Sequence, residues 1–143
     1  MKNFYFFVSF FSLSLVNGYI FQFLSNNIFH IKNNKIDDFS QIEKIIVIMI
    51  IAPILETLIF QHILYILLKK IKIKNDIICI IIMSLIFSQV HWYNWLYVIM
   101  TFIGGLILNS FYIKINNNTP KYSYAITVLF HALFNLYGFL FVM

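Results

Sequence analysis

The sequence predicts an all-α fold, a multi-pass transmembrane helical bundle of about five helices. Three observations lead there. Of 143 residues, 62% are hydrophobic and only 10% charged, with mean hydropathy +0.87, whereas a soluble domain has roughly 45–50% apolar and about 25% charged residues. Apolar runs recur along the chain at about the 20 residues that a helix needs to cross the hydrocarbon core. The charged residues gather in the short connectors between those runs. A water-soluble core of this size cannot bury so much apolar surface, so the expected partner is the lipid bilayer. The formal net charge of +5 comes from lysines alone and forms no interleaved basic face, so no nucleic-acid partner is expected. Cys79 is the single cysteine and sits in an apolar run. That excludes an intrachain disulfide and a cysteine-based zinc cluster.

The first run, Phe4 to Leu24, is read as an uncleaved helix. It is longer than the apolar stretch of a signal peptide, and no small-x-small cleavage site follows. Asn26 to Lys44 is a polar connector, and residues 1–44 form an N-terminal unit of helix plus extracytoplasmic loop. Residues 45–143 form a core of about four transmembrane helices. Its first run, Ile45 to Leu68, is interrupted by Pro53, Glu56, Thr57, Gln61 and His62. Proline lacks an N–H, so Pro53 is expected to kink this helix and loosen the carbonyl of Met49. Lys69 to Asp76 is a short basic loop, and Ile77 to His91 is a third run, short for a full span. Trp92, Tyr93, Asn94 and Trp95 then suit a membrane interface. Trp95 to Ile113 is the fourth run, Lys114 to Lys121 a polar turn, and Tyr122 to Met143 the fifth.

Orientation follows from the lysines. With the Lys69–Lys74 loop inside, seven lysines (2, 69, 70, 72, 74, 114, 121) face the cytoplasm and three (32, 35, 44) do not. Asp37, Asp38 and Glu43 offset the three outside. The positive-inside rule then puts the N-terminus in the cytoplasm and the C-terminus outside. Heavy use of Ile, Asn, Lys and Phe hints at an AT-rich genome, and a bacterial plasma membrane is the expected location.

The informative residues are the polar ones within the spans. Glu56 lies about 18 Å from the Leu68 end of its run, His131 about 14 Å from Tyr122, and His91 about 22 Å from Asp76, at a 1.5 Å rise per residue. All three fall in one broad middle layer. A charge at mid-bilayer costs roughly 2.5–3.5 kcal/mol and usually faces the bundle interior. Any one of them alone can serve as a hydrogen bond between helices. Glu56, His91, His131 and Asn135 together point to function. His131 and Asn135 are i and i+4 on one helix face, as are Phe87 and His91, with Ser84 on the same face as His91.

The stretch Ala52-Pro53-Ile54-Leu55-Glu56-Thr57-Leu58-Ile59-Phe60-Gln61 resembles the first motif of the CPBP intramembrane proteases, the CAAX prenyl protease and bacteriocin-processing (Abi) family. That motif usually reads Glu-Glu-x-x-x-Arg. Phe87-Ser88-Gln89-Val90-His91 resembles the second motif, Phe-x-x-x-His, and His131-Ala132-Leu133-Phe134-Asn135 the third, His-x-x-x-Asn. A glycine-containing helix, 102–108 here, stands between the last two. The resemblance implies an intramembrane endopeptidase acting on a hydrophobic or lipid-modified peptide. In it Glu56 is the general base on a water, His91 helps hold that water, and His131 and Asn135 bind the oxyanion. No cofactor is implied. The alternative is a zinc ion on Glu56, His91 and His131, since two histidines and a glutamate form a known catalytic ligand set.

The first motif is altered. Its second Glu is Thr57 and its Arg is Gln61, so an ion pair at i and i+4 is replaced by a neutral polar pair on one face. Thr57, Gln61 and Phe87 are therefore supporting residues in this reading. The change motivates a second expectation, a catalytically impaired relative that binds a peptide or serves in bacteriocin immunity. A proton-conducting transporter subunit is a third, and the asparagine at i+4 from His131 argues against it. His62 points roughly 240° around the helix from Glu56, and His30 reads as a solvated surface residue. Only one helix precedes the first motif, which leaves homo-oligomerisation as a way to enclose the site.

Overall fold

A computed structural model describes residues 2–31 and 40–141. Lys32, Lys35, Asp37 and Asp38, which carry part of the orientation argument, lie outside the described residues, as do the side chains of Lys2 and Lys44. The described residues form five successive helical rods joined by short turns. Helix α1 is Lys2–Leu24, continued by a wide π-helical turn, Ser25–Phe29. Helix α2 runs without a break over residues 41–70 but alternates in register: α-helical at Gln41–Ile46, Ala52–Glu56 and Leu64–Lys70, π-helical at Val47–Ile51 and Thr57–Ile63. Helix α3 is Asp76–Gln89, α4 is Trp95–Asn118, and α5 is Ser123–Phe141 after a 3-10 turn at Pro120–Tyr122.

The helix ends explain these boundaries. Ser40 and Glu43 form a reciprocal capping box at the start of α2: the Glu43 N–H donates to Ser40 Oγ at 3.3 Å and the Ser40 N–H to Glu43 Oε2 at 2.8 Å. Asn75 Oδ1 accepts the Ile77 N–H to start α3, and Asn94 Oδ1 accepts the Tyr97 N–H to start α4. Helix α2 closes with Lys72 at φ 68°, the Ile73 N–H donating to Leu68 O and the Lys72 N–H to Lys69 O. This is the left-handed C-terminal cap usually made with glycine.

Among the described residues three helices are long and apolar enough to cross a membrane: Phe4–Phe29, Trp95–Asn118 and Pro120–Phe141. Helix α3, at 14 residues, is shorter than a span, and it stops at Gln89 rather than running to His91. At 1.5 Å per residue it rises about 21 Å. The bundle is polar inside and apolar outside. Thr57, Gln61, Ser84, Asn109 and Thr127 have no exposed surface, while Ile, Leu, Phe and Val side chains cover the outside. Lipid attracts apolar side chains as well as a core does, so small and polar residues are what hold such helices together. One core cluster, nearest the lysine loop, holds Tyr65, Leu68, Cys79, Met83, Tyr112 and Ile113. A second joins α1 to α4 and α5, with Phe111 and Phe130 stacked at 4.4 Å and Phe7 and Phe11 edge-on to them.

Helices α3 and α4 approach closely at Gly105. A Cβ there would lie 3.2 Å from both Cα and Cβ of Ser84 and 3.3 Å from Phe87 Cδ1. Gly105→Leu is therefore expected to force the two helices apart and destabilise the fold by about 1–3 kcal/mol, the usual cost of overpacking, as read by denaturant titration of the detergent-solubilised protein. At the lysine end, Lys69 Nζ contacts Asp76 Oδ1 at 2.6 Å, and Asn117 and Tyr65 also donate to that carboxylate. The Lys69 hydrogen bond, chiefly, holds the Asp76 carboxyl below its ordinary range. A depressed folded-state pKa stabilises above the unfolded value, about 3.9 for Asp, and that contribution is lost as pH falls through the folded value. Asp76→Asn should cost under about 1 kcal/mol at neutral pH, the worth of a partly exposed pair. The variant should also show a flatter stability profile than wild type on acidification below pH ~4.

Candidate active site

The widened turns of α2 build the site. At the first of them the Ala52 N–H donates to Val47 O, one residue further back than an α-helix would place it. Ile48 O thereby loses its α-helical donor. The next N–H along would belong to residue 53, which is proline and has none. Asn135 Nδ2 from α5 donates to Ile48 O at 2.9 Å instead. The carbonyl that Pro53 leaves open is thus that of Ile48, not Met49 as a regular helix predicts, because the register has already slipped before the proline. Tyr124 adds a second tie between α5 and α2 through its hydroxyl to Ile54 O at 3.1 Å.

Glu56 ends the α-helical stretch that follows, and two histidines meet it. His91 Nε2 lies 3.7 Å from Glu56 Oε2 and His131 Nε2 lies 3.6 Å from the same oxygen. Those distances are beyond a direct hydrogen bond and close enough for one water to touch all three groups. The Glu56 side chain keeps 25% of its surface, against 14% for His91 and 6% for His131. The carboxylate is the part of the site that opens outward. His91 sits in the turn after α3, and its Nδ1 donates to Phe87 O at 2.8 Å. The Phe87 ring is 4.4 Å from the His91 ring and 6.2 Å from that of His131. Phe60, from the first motif, packs edge-on against Phe87 at 5.7 Å. The site lies past the far end of α3 from the lysine loop, on the side of Trp92, Tyr93 and Trp95, and Tyr97 flanks it with its ring 6.2 Å from that of His91.

Thr57 and Gln61 are both fully buried, yet each turns to a different helix instead of to the other. Thr57 Oγ1 is 3.4 Å from His131 Nδ1. Gln61 Nε2 donates to Asn109 Oδ1 at 3.3 Å, Asn109 Nδ2 donates to Ser84 Oγ at 3.0 Å, and Ser84 donates to Ile80 O. The i, i+4 pairing expected from α-helical geometry fails because both residues sit in the second widened turn, Thr57–Ile63. Asn109 is the residue that sequence reasoning passed over. Its signal was an amide within the apolar run of α4. His62 faces away from Glu56, with Nδ1 2.9 Å from Tyr112 Oη. His30 is exposed and contacts Asn26 O. Among the described residues no group of three or more His, Cys, Asp or Glu side chains meets the geometry of a metal site.

Residues 38–137 match the family described as type II CAAX prenyl endopeptidase Rce1-like, and the chain belongs to that family. No curated protein and no solved structure matches the chain.

The link between Asn135 and the register of α2 is testable as a cycle. Asn135→Leu should cost about 1–3 kcal/mol, because it leaves a half-buried carbonyl, which has no helical donor, without a partner. Pro53→Ala supplies an N–H at the break. The double variant should then lose less than the sum of the two single changes, with a coupling of at least about 0.5 kcal/mol in denaturant titrations.

Proposed function

We propose that this member of the Rce1-like endopeptidase family is an intramembrane protease that hydrolyses a peptide bond of a hydrophobic or lipid-modified peptide. The observation that carries the proposal is the convergence of two histidines, from the end of α3 and from α5, on one oxygen of Glu56. A water held between Glu56 Oε2 and His91 Nε2 attacks the carbonyl carbon as Glu56 takes its proton. The carbonyl oxygen becomes an oxyanion and accepts from His131 and Asn135. An amide nitrogen carries two protons, so Asn135 keeps one for the oxyanion after donating to Ile48 O. Glu56 then returns the proton to the leaving nitrogen as the C–N bond breaks. Each preorganised donor to such an oxyanion is worth about 3–4 kcal/mol. The partial exposure of Glu56 supports water entry, and the tryptophans beside the site support a substrate presented at a membrane interface. In this reading the protein sits in a bacterial plasma membrane; the lysine bias of its loops supports an inside N-terminus and an outside C-terminus, with the site toward the outer leaflet.

One observation favours a second reading. Among the described residues Gln61 Oε1 is buried without a hydrogen-bond partner, so the neutral substitute for the motif's ion pair is incompletely satisfied. An impaired relative that binds a peptide, as an immunity protein would, fits that feature.

Purified protein in detergent, given a library of prenylated and unmodified hydrophobic peptides, separates the two. Glu56→Gln and His131→Ala should each lower cleavage by about 100-fold or more. Wild type that binds a peptide and cleaves none would leave the second reading standing. A chelator that abolishes cleavage, with recovery on adding zinc, would bring back the metal alternative.

A further inference from the structure

The two histidines at Glu56 differ in what holds their other nitrogen. His91 Nδ1 contacts Phe87 O at 2.8 Å. A carbonyl oxygen only accepts, so His91 carries its proton on Nδ1 and, when neutral, turns a bare lone pair on Nε2 toward Glu56. His131 Nδ1 instead meets the Thr57 hydroxyl at 3.4 Å, a group that can donate or accept.

The surroundings of Thr57 decide between the two. Several buried hydroxyls in this bundle donate back to their own helix: Ser84 to Ile80 O, Thr101 to Tyr97 O, Thr127 to Ser123 O. Thr57 opens the widened turn and does not, and His131 is its hydrogen-bond partner among the described residues. Were Nδ1 to carry the ring proton, Thr57 would accept it and its own hydroxyl proton would be buried without an acceptor. Leaving a buried donor unpaired is costly. Donation from Thr57 to a bare Nδ1 satisfies both atoms.

We infer that Thr57 is a positioning residue that fixes His131 as the tautomer protonated on Nε2, so that Glu56 meets a lone pair from His91 and an N–H from His131. The opposed polarity suits the two roles. A bare His91 Nε2 accepts from the attacking water and orients its second proton. A neutral His131 with Nε2–H donates to an oxyanion without first having to gain a charge in a dry site. The catalytic use of this polarity rests on the protease reading; the tautomers do not. In that reading Thr57 supports catalysis as a neutral donor in place of the acidic residue of the usual motif.

Nitrogen-15 NMR of histidine-labelled protein in detergent reads the tautomers directly, with His30→Gln and His62→Gln removing the other two signals. At neutral pH His131 is expected with a bare Nδ1 and protonated Nε2, and His91 with the reverse. Thr57→Ser should keep the His131 pattern. Thr57→Val, of nearly the same shape, should shift it toward a mixture or toward Nδ1–H while leaving His91 unchanged. A wild-type His131 protonated on Nδ1, or one indifferent to valine at position 57, overturns the inference. On a cleaved peptide, Thr57→Val should lower kcat by about tenfold or more with KM little changed, and serine should restore it. If wild type cleaves nothing, the protease reading fails while the spectra still decide the tautomers.

Discussion

Hydrocarbon offers no hydrogen-bond partner, so a polar group within this bundle must be answered by another part of the bundle. That constraint bears hardest on helix α2. Its wide turns and Pro53 together leave the Ile48 carbonyl without a helical donor, and Asn135 answers it from 87 positions away in the chain. The same asparagine stands one turn after His131. Satisfying a broken helix and bringing α5 against Glu56 are therefore one event. An α2 with unbroken α-helical bonding would not need Asn135, and one of the ties that fix α5 against α2, beside those of Tyr124 and Thr57, would be lost.

The polar interior extends this logic away from the reacting groups. Gln61, Asn109 and Ser84 link α2, α4 and α3 in series and end on the Ile80 carbonyl. Close approach at Gly105 brings Ser84 and Phe87 near α4, and Phe87 in turn holds His91 through its carbonyl and ring. Each interhelical hydrogen bond in a membrane is worth only about 0.6 kcal/mol on average. Their contribution here lies in register: a helix that slides or rotates breaks several of them at once.

Much of this was legible from the residues. Glu56, His91, His131 and Asn135 stood out because each is polar within an apolar run; the structure brings His91 and His131 to Glu56, while Asn135, one turn beyond His131, bonds Ile48 O. Phe87, an apolar residue in an apolar run, is legible only through its i, i+4 spacing to His91 and the Phe-x-x-x-His pattern. The positions of Thr57 and Gln61 relative to each other were not legible. The i, i+4 rule assumes α-helical bonding, and the i→i+5 register of residues 57–63 has no marker in their side chains. The slip at 47–51 likewise moved the open carbonyl from Met49 to Ile48. The Ser40-x-x-Glu43 capping box was in plain view and gives α2 its start, but the low hydropathy of the preceding connector hid it.

The departures in the first motif bear on the site differently once its geometry is known. A buried Glu–Arg pair brings two charges that must both stay satisfied, and losing one partner is far more damaging than losing both. Here both are neutral, and neither neutral residue is idle: Thr57 reaches His131 and Gln61 reaches Asn109. Among the described residues Glu56 is then the one acidic side chain that faces the two histidines, with no second carboxylate beside it. In the proposed protease reading, a base that takes a proton from water and gives it to a leaving nitrogen benefits from that isolation. The cost of the exchange is visible at Gln61 Oε1, a single buried oxygen without a partner. It lies on the side of the network that ties α2 to α4, away from the oxygen that the histidines share.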